Sequence, residues 1–113
     1  MSIKRYEVGP RMSKIVVHNN TAYLCGVCVK GADIHEQTRN VLQEIERLLA
    51  EVGSDKTKIL QAVIWLADIN DFAAMNAIWD EWVPVDNAPA RATGEVKLVT
   101  AEYKIEIIIT AAI

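Results

Sequence analysis

The chain has 113 residues, of which 51% are apolar, and its 12 basic and 15 acidic side chains give a formal net charge of −3. No basic run is longer than Lys4 and Arg5, and no apolar run approaches a membrane span of roughly 20 residues, which argues against nucleic-acid and membrane partners. The length predicts a single domain over residues 1–113, and the lack of a signal core or disulfide framework predicts a cytoplasmic location. So apolar a chain is expected to bury surface against other subunits.

Three short strands are predicted within the first thirty residues. β-branched and aromatic residues dominate 14–18 and 21–29, and the intervening Asn19 and Asn20 tolerate the left-handed conformations of a tight turn. These two segments are therefore predicted to form a hairpin. Residues 3–8 are predicted to add a strand beside it.

A helical period follows these strands. Asp33 and Glu36 form a capping-box pattern, and Gly53 marks the end of the helix. Residues 59–66 are apolar at both alternating sets of positions, as in a strand covered on both faces, and a second helix is predicted from Asn70. The apolar residues at helical spacing are Val41, Leu42, Ile45, Leu48, Leu49 and Val52 in the first helix and Phe72, Met75, Ile78, Trp79 and Trp82 in the second.

The last third of the chain is predicted to close the sheet. Residues 91–99 and 102–113 are interpreted as a hairpin around Thr100 and Ala101. The order β-β-β-α-β-α-β-β then gives an α+β fold in which two helices pack on one face of a six-stranded mixed sheet. The final strand carries isoleucines on both sides, so a neighbouring subunit is expected to cover the second face; exposed isoleucines on an ordinary edge strand are the alternative.

The chain lacks the common catalytic motifs. No Ser-His-Asp, H-E-x-x-H, phosphate-loop or dinucleotide pattern can be drawn, so no metal and no cofactor is predicted. Cys25 and Cys28 have the spacing of a redox pair, but the predicted strand points them to opposite faces, which favours a structural role. His18 and His35 do not have metal-ligand spacing and are interpreted as ordinary histidines.

Arg91 and Glu106 are the remaining candidates for chemistry. Arg91 begins a strand just after a proline, and Glu106 lies among isoleucines, where a carboxylate is costly unless it is paired or used. The predicted hairpin places Arg91 opposite Thr110, about 13 Å along the strand from Glu106 and on the same face. The two side chains are therefore not expected to pair within one chain.

Four segments resemble the RidA/YjgF family of reactive-intermediate deaminases. They are Pro-Ala-Arg at 89–91, Lys-Ile-Glu-Ile at 104–107, Asn-Asn-Thr-Ala-Tyr-Leu-Cys-Gly at 19–26 and Asn-Asp-Phe-Ala-Ala-Met-Asn at 70–76. The resemblance runs from about residue 10 to residue 113. It implies a chorismate-mutase-like fold, a homotrimer with clefts between subunits, and hydrolysis of small 2-imino carboxylic acids to 2-oxo acids and ammonia.

The resemblance also assigns roles to single residues. Arg91 matches the arginine that grips the substrate carboxylate, Glu106 the acid that holds the attacking water, and Gly26 the glycine whose backbone faces the ligand. The other substrate-binding positions are Asn76, Met12, Cys25 and Thr93. The characterised deaminases carry tyrosine, serine and cysteine at the last three, and the chain resembles the divergent YoaB-like branch. An imine is electrophilic enough for attack by an oriented water.

Three hypotheses follow from the sequence. The first is a homotrimeric enamine/imine deaminase. The second is a trimer on the same fold that binds a small carboxylate metabolite through Arg91 without turnover. The third is a purely structural trimer in which Arg91 forms an interface pair. Carboxylate binding at Arg91 argues against the third, and ammonia release that depends on Glu106 separates the first from the second.

Overall fold

The computed structural model describes residues 2–113, which form six strands and two helices. The strands are β1 (Lys4–Val8), β2 (Ser13–His18), β3 (Thr21–Leu24), β4 (Ile59–Leu66), β5 (Ala90–Glu95) and β6 (Ile105–Ala112); the helices are α1 (Ile34–Glu51) and α2 (Phe72–Trp82). Single 3₁₀ turns precede β4 and α2. The predicted α+β class and the order of the elements are confirmed.

Local sequence signals act as predicted at two places. Asn19 and Asn20 have φ values of 53° and 61°, the left-handed pair that a two-residue β-hairpin turn requires. Asp33 caps α1 by accepting a hydrogen bond from the backbone N–H of Glu36 at 2.9 Å, and Gly53 follows the helix with φ of 77°. These residues fix the β2–β3 hairpin and both ends of the long helix.

The sheet is mixed and has the strand order β1-β2-β3-β6-β4-β5. All neighbours are antiparallel except β4 and β5, which run parallel and are joined through α2. This β4-α2-β5 unit is a crossover connection, the arrangement that parallel neighbours need. The six-stranded mixed sheet with two helices on one face is confirmed.

The predicted closing hairpin is wrong. β5 and β6 are not neighbours: each pairs with a different edge of β4, and β6 lies between β4 and β3. The crossover through α2 fixes β5 parallel to β4, and the long connection over residues 96–104 then carries the chain across β4 to its other side. Arg91 is consequently opposite Ala62 rather than Thr110.

Two further boundaries differ from the sequence pattern. β3 ends at Leu24, although strand residues were predicted as far as 29; beyond it only Val27 forms a bridge, to Ile107. β4 contains a bulge between Ile59 and Gln61, which turns Leu60 outwards and leaves it 52% exposed. Along the rest of β4, Ala62, Ile64 and Leu66 are buried whereas Val63 and Trp65 are only partly buried, so within one chain β4 is covered on one face only.

The register divides the sheet into a helix-covered face and an open face. The helix-covered face holds the core: Ile15, Ala22, Leu24, Ala62, Ile64, Leu66, Ile105, Ile107, Ile109 and Ala111. The open face carries the alternate positions of the same strands: Val16, Tyr23, Val63, Trp65, Glu106, Ile108 and Thr110. No residue of the second set is buried.

The helices do not have the character of membrane spans. Over residues 2–113, neither α1 nor α2 combines the length and the apolar composition that crossing a bilayer would need.

Candidate active site

Arg91 lies at the start of β5 and belongs to the helix-covered face, because its register partner is the buried Ala62. Its guanidinium carbon is 5.4 Å from the ring centroid of Trp79 and 5.8 Å from that of Phe72, both on α2. Within residues 2–113 no carboxylate forms an ion pair with it. Its N–H donors are therefore available to a ligand, and a guanidinium can bind a carboxylate through two parallel hydrogen bonds.

Two polar side chains accompany Arg91. Thr93 lies two residues further along β5, opposite Ile64, and Asn76 lies on α2 one turn after Phe72. Asn76 Oδ1 and Thr93 Oγ1 are buried and have no hydrogen-bond partner within residues 2–113. Such atoms cost about 1–3 kcal/mol each when left unpaired, so both are expected to bind water or a ligand group. Arg91, Asn76 and Thr93 are called the arginine cluster below.

Glu106 lies near the start of β6, on the open face, opposite Trp65. No cation of residues 2–113 pairs with its carboxylate. Partial burial raises the pKa of the Glu106 carboxyl above its ordinary value. A carboxylate of raised pKa is a better proton acceptor than an exposed one, which suits general-base chemistry.

Gly26 makes room for the Glu106 carboxylate. Gly26 directly precedes Val27, and the backbone of Val27 forms two hydrogen bonds with Ile107 of β6, of 2.9 and 3.0 Å. A Cβ at Gly26 would lie 2.9 Å from Cδ of Glu106 and closer still to its Oε2. Any larger residue at position 26 would therefore displace the carboxylate.

Cys25 precedes Gly26, and its backbone N–H donates to the carbonyl of Lys14 at 2.9 Å. Burial raises the pKa of the Cys25 and Cys28 thiols, and the negative charge of Glu106 raises both further. The argument that strand alternation points the two thiols to opposite faces does not hold, since β3 ends before Cys25. Glu106, Gly26 and Cys25 are called the glutamate cluster below.

Met12 lies in the turn between β1 and β2 and is 52% exposed. Its carbonyl accepts a 2.8 Å hydrogen bond from the backbone N–H of Gly9. Because Cys25 pairs with Lys14 near the start of β2, Met12 is at the same end of the sheet as the glutamate cluster. It has no described contact with Glu106.

The arginine and glutamate clusters are separate within one chain. β5 and β6 flank β4, and the register partners of Arg91 and Glu106 on β4, Ala62 and Trp65, are three residues apart. Strand spacing and rise then separate the two α-carbons by about 14 Å, with the side chains on opposite faces. The prediction that the two residues share a face is wrong, because it depended on the closing hairpin. The prediction that they do not pair within one chain agrees with this geometry.

Phe72 and Trp79 were assigned from the sequence only to the apolar stripe of α2, so their contact with Arg91 was missed. The available signal was their spacing of seven residues, which places two aromatic rings on one side of a helix. The sequence did not indicate that this side faces Arg91.

The mixed sheet with two helices on one face defines a class of small α+β proteins with the chorismate-mutase-like architecture. In this chain the arginine of the site lies on β5 and the glutamate on β6. The chain belongs to the family described as Endoribonuclease L-PSP, whose sequence model matches residues 3–113. The resemblance to the RidA/YjgF family is thereby confirmed.

Individual relatives agree with this assignment. The chain is 48% identical over 114 residues to the RutC family protein YoaB of Escherichia coli, covering 100% of both sequences. It is 44% identical to a RutC family protein of Haemophilus influenzae, covering 98% of each. The crystal structure of a YjgF family member from Neisseria meningitidis matches with a TM-score of 0.97 and 43% identity, over 99% of this chain and 95% of that one.

Proposed function

We propose that this protein is a homotrimeric enamine/imine deaminase that hydrolyses small 2-imino carboxylic acids to 2-oxo acids and ammonia at clefts between subunits. One observation carries the proposal. Within residues 2–113 neither Arg91 nor Glu106 has an ionic partner, and the two lie on opposite faces of one sheet. A small substrate can meet both groups only if a second copy brings its glutamate cluster to the arginine cluster of the first.

The open face supports such an assembly. Tyr23 and Leu60 are 50% and 52% exposed, and Val63, Trp65 and Ile108 are only partly buried on the same side of the sheet. Apolar side chains gathered on one face of so small a protein are typical of a subunit interface. Covering this face would also remove water from around Glu106.

In the proposed reaction, Arg91 binds the substrate carboxylate and so fixes the adjacent C=N carbon. Glu106 accepts a proton from a water as the water oxygen attacks that carbon, and this proton is passed to the imine nitrogen, which gives a tetrahedral aminoalcohol. The hydroxyl proton of that species is then transferred through Glu106 to the amine as the C–N bond breaks and the C=O bond forms, so ammonia leaves and Glu106 is again a carboxylate. The overall reaction consumes one water, and positioning together with a general base supplies the catalysis.

A trimer that binds a carboxylate without turnover is the second candidate. Cys25 favours it, because a thiol forms weaker hydrogen bonds than a hydroxyl group does. Burial also raises the pKa of the Cys25 thiol, which keeps it neutral. A water near Glu106 would then have fewer strong partners to orient it.

An imine-hydrolysis assay distinguishes the two candidates. Threonine dehydratase or an amino-acid oxidase generates the 2-imino acid, and release of 2-oxo acid and ammonia is followed above the spontaneous rate with and without this protein. Glu102→Gln is a matched control, because that glutamate is also near β6 but is exposed and, within residues 2–113, forms its one ion pair with Lys30. Acceleration by the parent and by the control but not by Glu106→Gln supports the deaminase. Binding of 2-oxobutanoate without acceleration supports the second candidate.

A further inference from the structure

Two aromatic rings contact the guanidinium of Arg91. Its central carbon is 5.8 Å from the ring centroid of Phe72 and 5.4 Å from that of Trp79, both within the range of a cation–π interaction. Phe72 is 40% exposed, whereas Trp79 is 5% exposed and belongs to the core. One ring therefore holds the cation from the interior and the other from the surface.

The spacing of the rings along α2 matches the position of the cation. Phe72 and Trp79 are seven residues apart, so their α-carbons lie on one side of the helix about 10.5 Å apart along its axis. Both rings are within cation–π range of the same guanidinium carbon, so the side of α2 that carries them faces Arg91. Asn76, which lies between the two rings in sequence, is four residues after Phe72 and three before Trp79 and therefore lies on the same side of the helix.

Aromatic rings hold a cation without consuming its hydrogen-bond donors. A carboxylate partner would occupy the N–H groups of Arg91, whereas a π-face attracts the positive charge and leaves those groups available. Lys56 provides a contrast within the same protein: it lies 5.3 Å from the Trp82 ring centroid, but its amino group also donates to the Trp82 carbonyl at 2.9 Å. Lys56 is thus bound to the C-terminal end of α2, whereas Arg91 has no polar partner within residues 2–113.

We propose that Phe72 and Trp79 are positioning residues, which together form an aromatic clamp that orients Arg91 toward the carboxylate of its ligand. The inference rests on the proposed carboxylate binding at Arg91 and extends it to two residues that do not themselves bind the ligand. The clamp also explains why a planar guanidinium is used here, since a compact, strongly hydrated ammonium stacks poorly between rings.

The test uses two substitutions at the exposed ring. Phe72→Leu keeps apolar volume but removes the π-face, and Phe72→Tyr keeps the ring. Calorimetry with 2-oxobutanoate on the intact assembly should show a Kd about fivefold to thirtyfold higher for Phe72→Leu and a Kd within about twofold of the parent for Phe72→Tyr. Urea unfolding checks that both variants are folded. NMR of the Arg91 Nε–H group, which aromatic ring currents shift, reports the clamp without any ligand.

The outcomes separate the clamp from the proposed function. A changed Arg91 Nε–H shift together with weaker binding in Phe72→Leu but not in Phe72→Tyr supports the clamp. Equal binding by the parent and Phe72→Leu, or equal weakening by both variants, overturns the clamp but leaves carboxylate binding intact. An unchanged Nε–H shift in Phe72→Leu also overturns it. If the parent binds no carboxylate, the proposed function fails, and the positioning role fails with it.

Discussion

Replacing Gly26 with alanine should test how closely Glu106 is positioned. The added Cβ would lie 2.9 Å from Cδ of Glu106 and closer to Oε2, whereas ordinary contacts begin at 3.4 Å. The carboxylate oxygen must then retreat by more than about 1 Å. Gly26 is not among the positive-φ residues, so backbone strain does not contribute. Because the Glu106 carboxylate is the far end of a flexible, only partly buried side chain, the loss of stability should stay below about 1 kcal/mol, while a displaced base should slow imine hydrolysis by about 100-fold.

The matched control is Gly94→Ala. Gly94 lies on β5 in the same row as Glu106, and a Cβ there would meet nothing within 4 Å in the chain. Turnover is measured in the coupled dehydratase assay, with light scattering to compare assembly and urea unfolding to compare stability. In the Glu106→Gln background, Gly26→Ala should cost little more, because both changes act on one carboxylate. Full activity of Gly26→Ala, or equal losses in Gly26→Ala and Gly94→Ala, would refute the reasoning.

Three further predictions concern the assembly and the two charged residues. Sedimentation should give a trimer, and a stable monomer at micromolar concentration would contradict the shared cleft. Arg91→Lys should abolish calorimetric binding of 2-oxobutanoate while leaving the unfolding midpoint near that of the parent, because an ammonium keeps the charge but loses the planar fork; binding as tight as the parent's would exclude a bidentate anchor. Glu106→Gln should spare binding and slow hydrolysis by about 10²–10⁴-fold. Since burial raises the pKa of the Glu106 carboxyl above its ordinary value of 4.5, the activity of the parent should fall as the pH drops through that raised pKa. The Glu106→Gln variant should not show this acidic fall in rate. Equal hydrolysis rates for the parent and the Gln variant at every pH would show that Glu106 is structural.

The features that the sequence predicted correctly depend on neighbouring residues. Asn19 and Asn20 specify the hairpin turn, and Asp33 specifies the start of α1, because each acts on backbone groups within three residues. Arg91 and Glu106 were identified as candidate site residues from the sequence around them, without reference to tertiary structure. Both remain the central candidates once the fold is known.

The features that were missed depend on distant segments. Nothing near β5 or β6 shows that β4 lies between them, because strand pairing is decided by the crossover through α2. The bulge after Ile59 likewise follows from matching β4 to β6. The face on which Arg91 lies, and therefore its contact with Phe72 and Trp79, could be known only from that three-dimensional arrangement.

The central place of β6 has a consequence for how the protein is made. β1 to β3 form one ladder and β4 and β5 another, and β6 is the only strand that hydrogen-bonds to both. It is also the last of the six strands to be synthesised, so until then the two ladders remain unpaired and their edge strands stay exposed. Closure then depends on pairings distant in sequence, which form slowly and leave intermediates prone to aggregation. Glu106 enters with that same strand, so the glutamate cluster is completed only when the sheet closes.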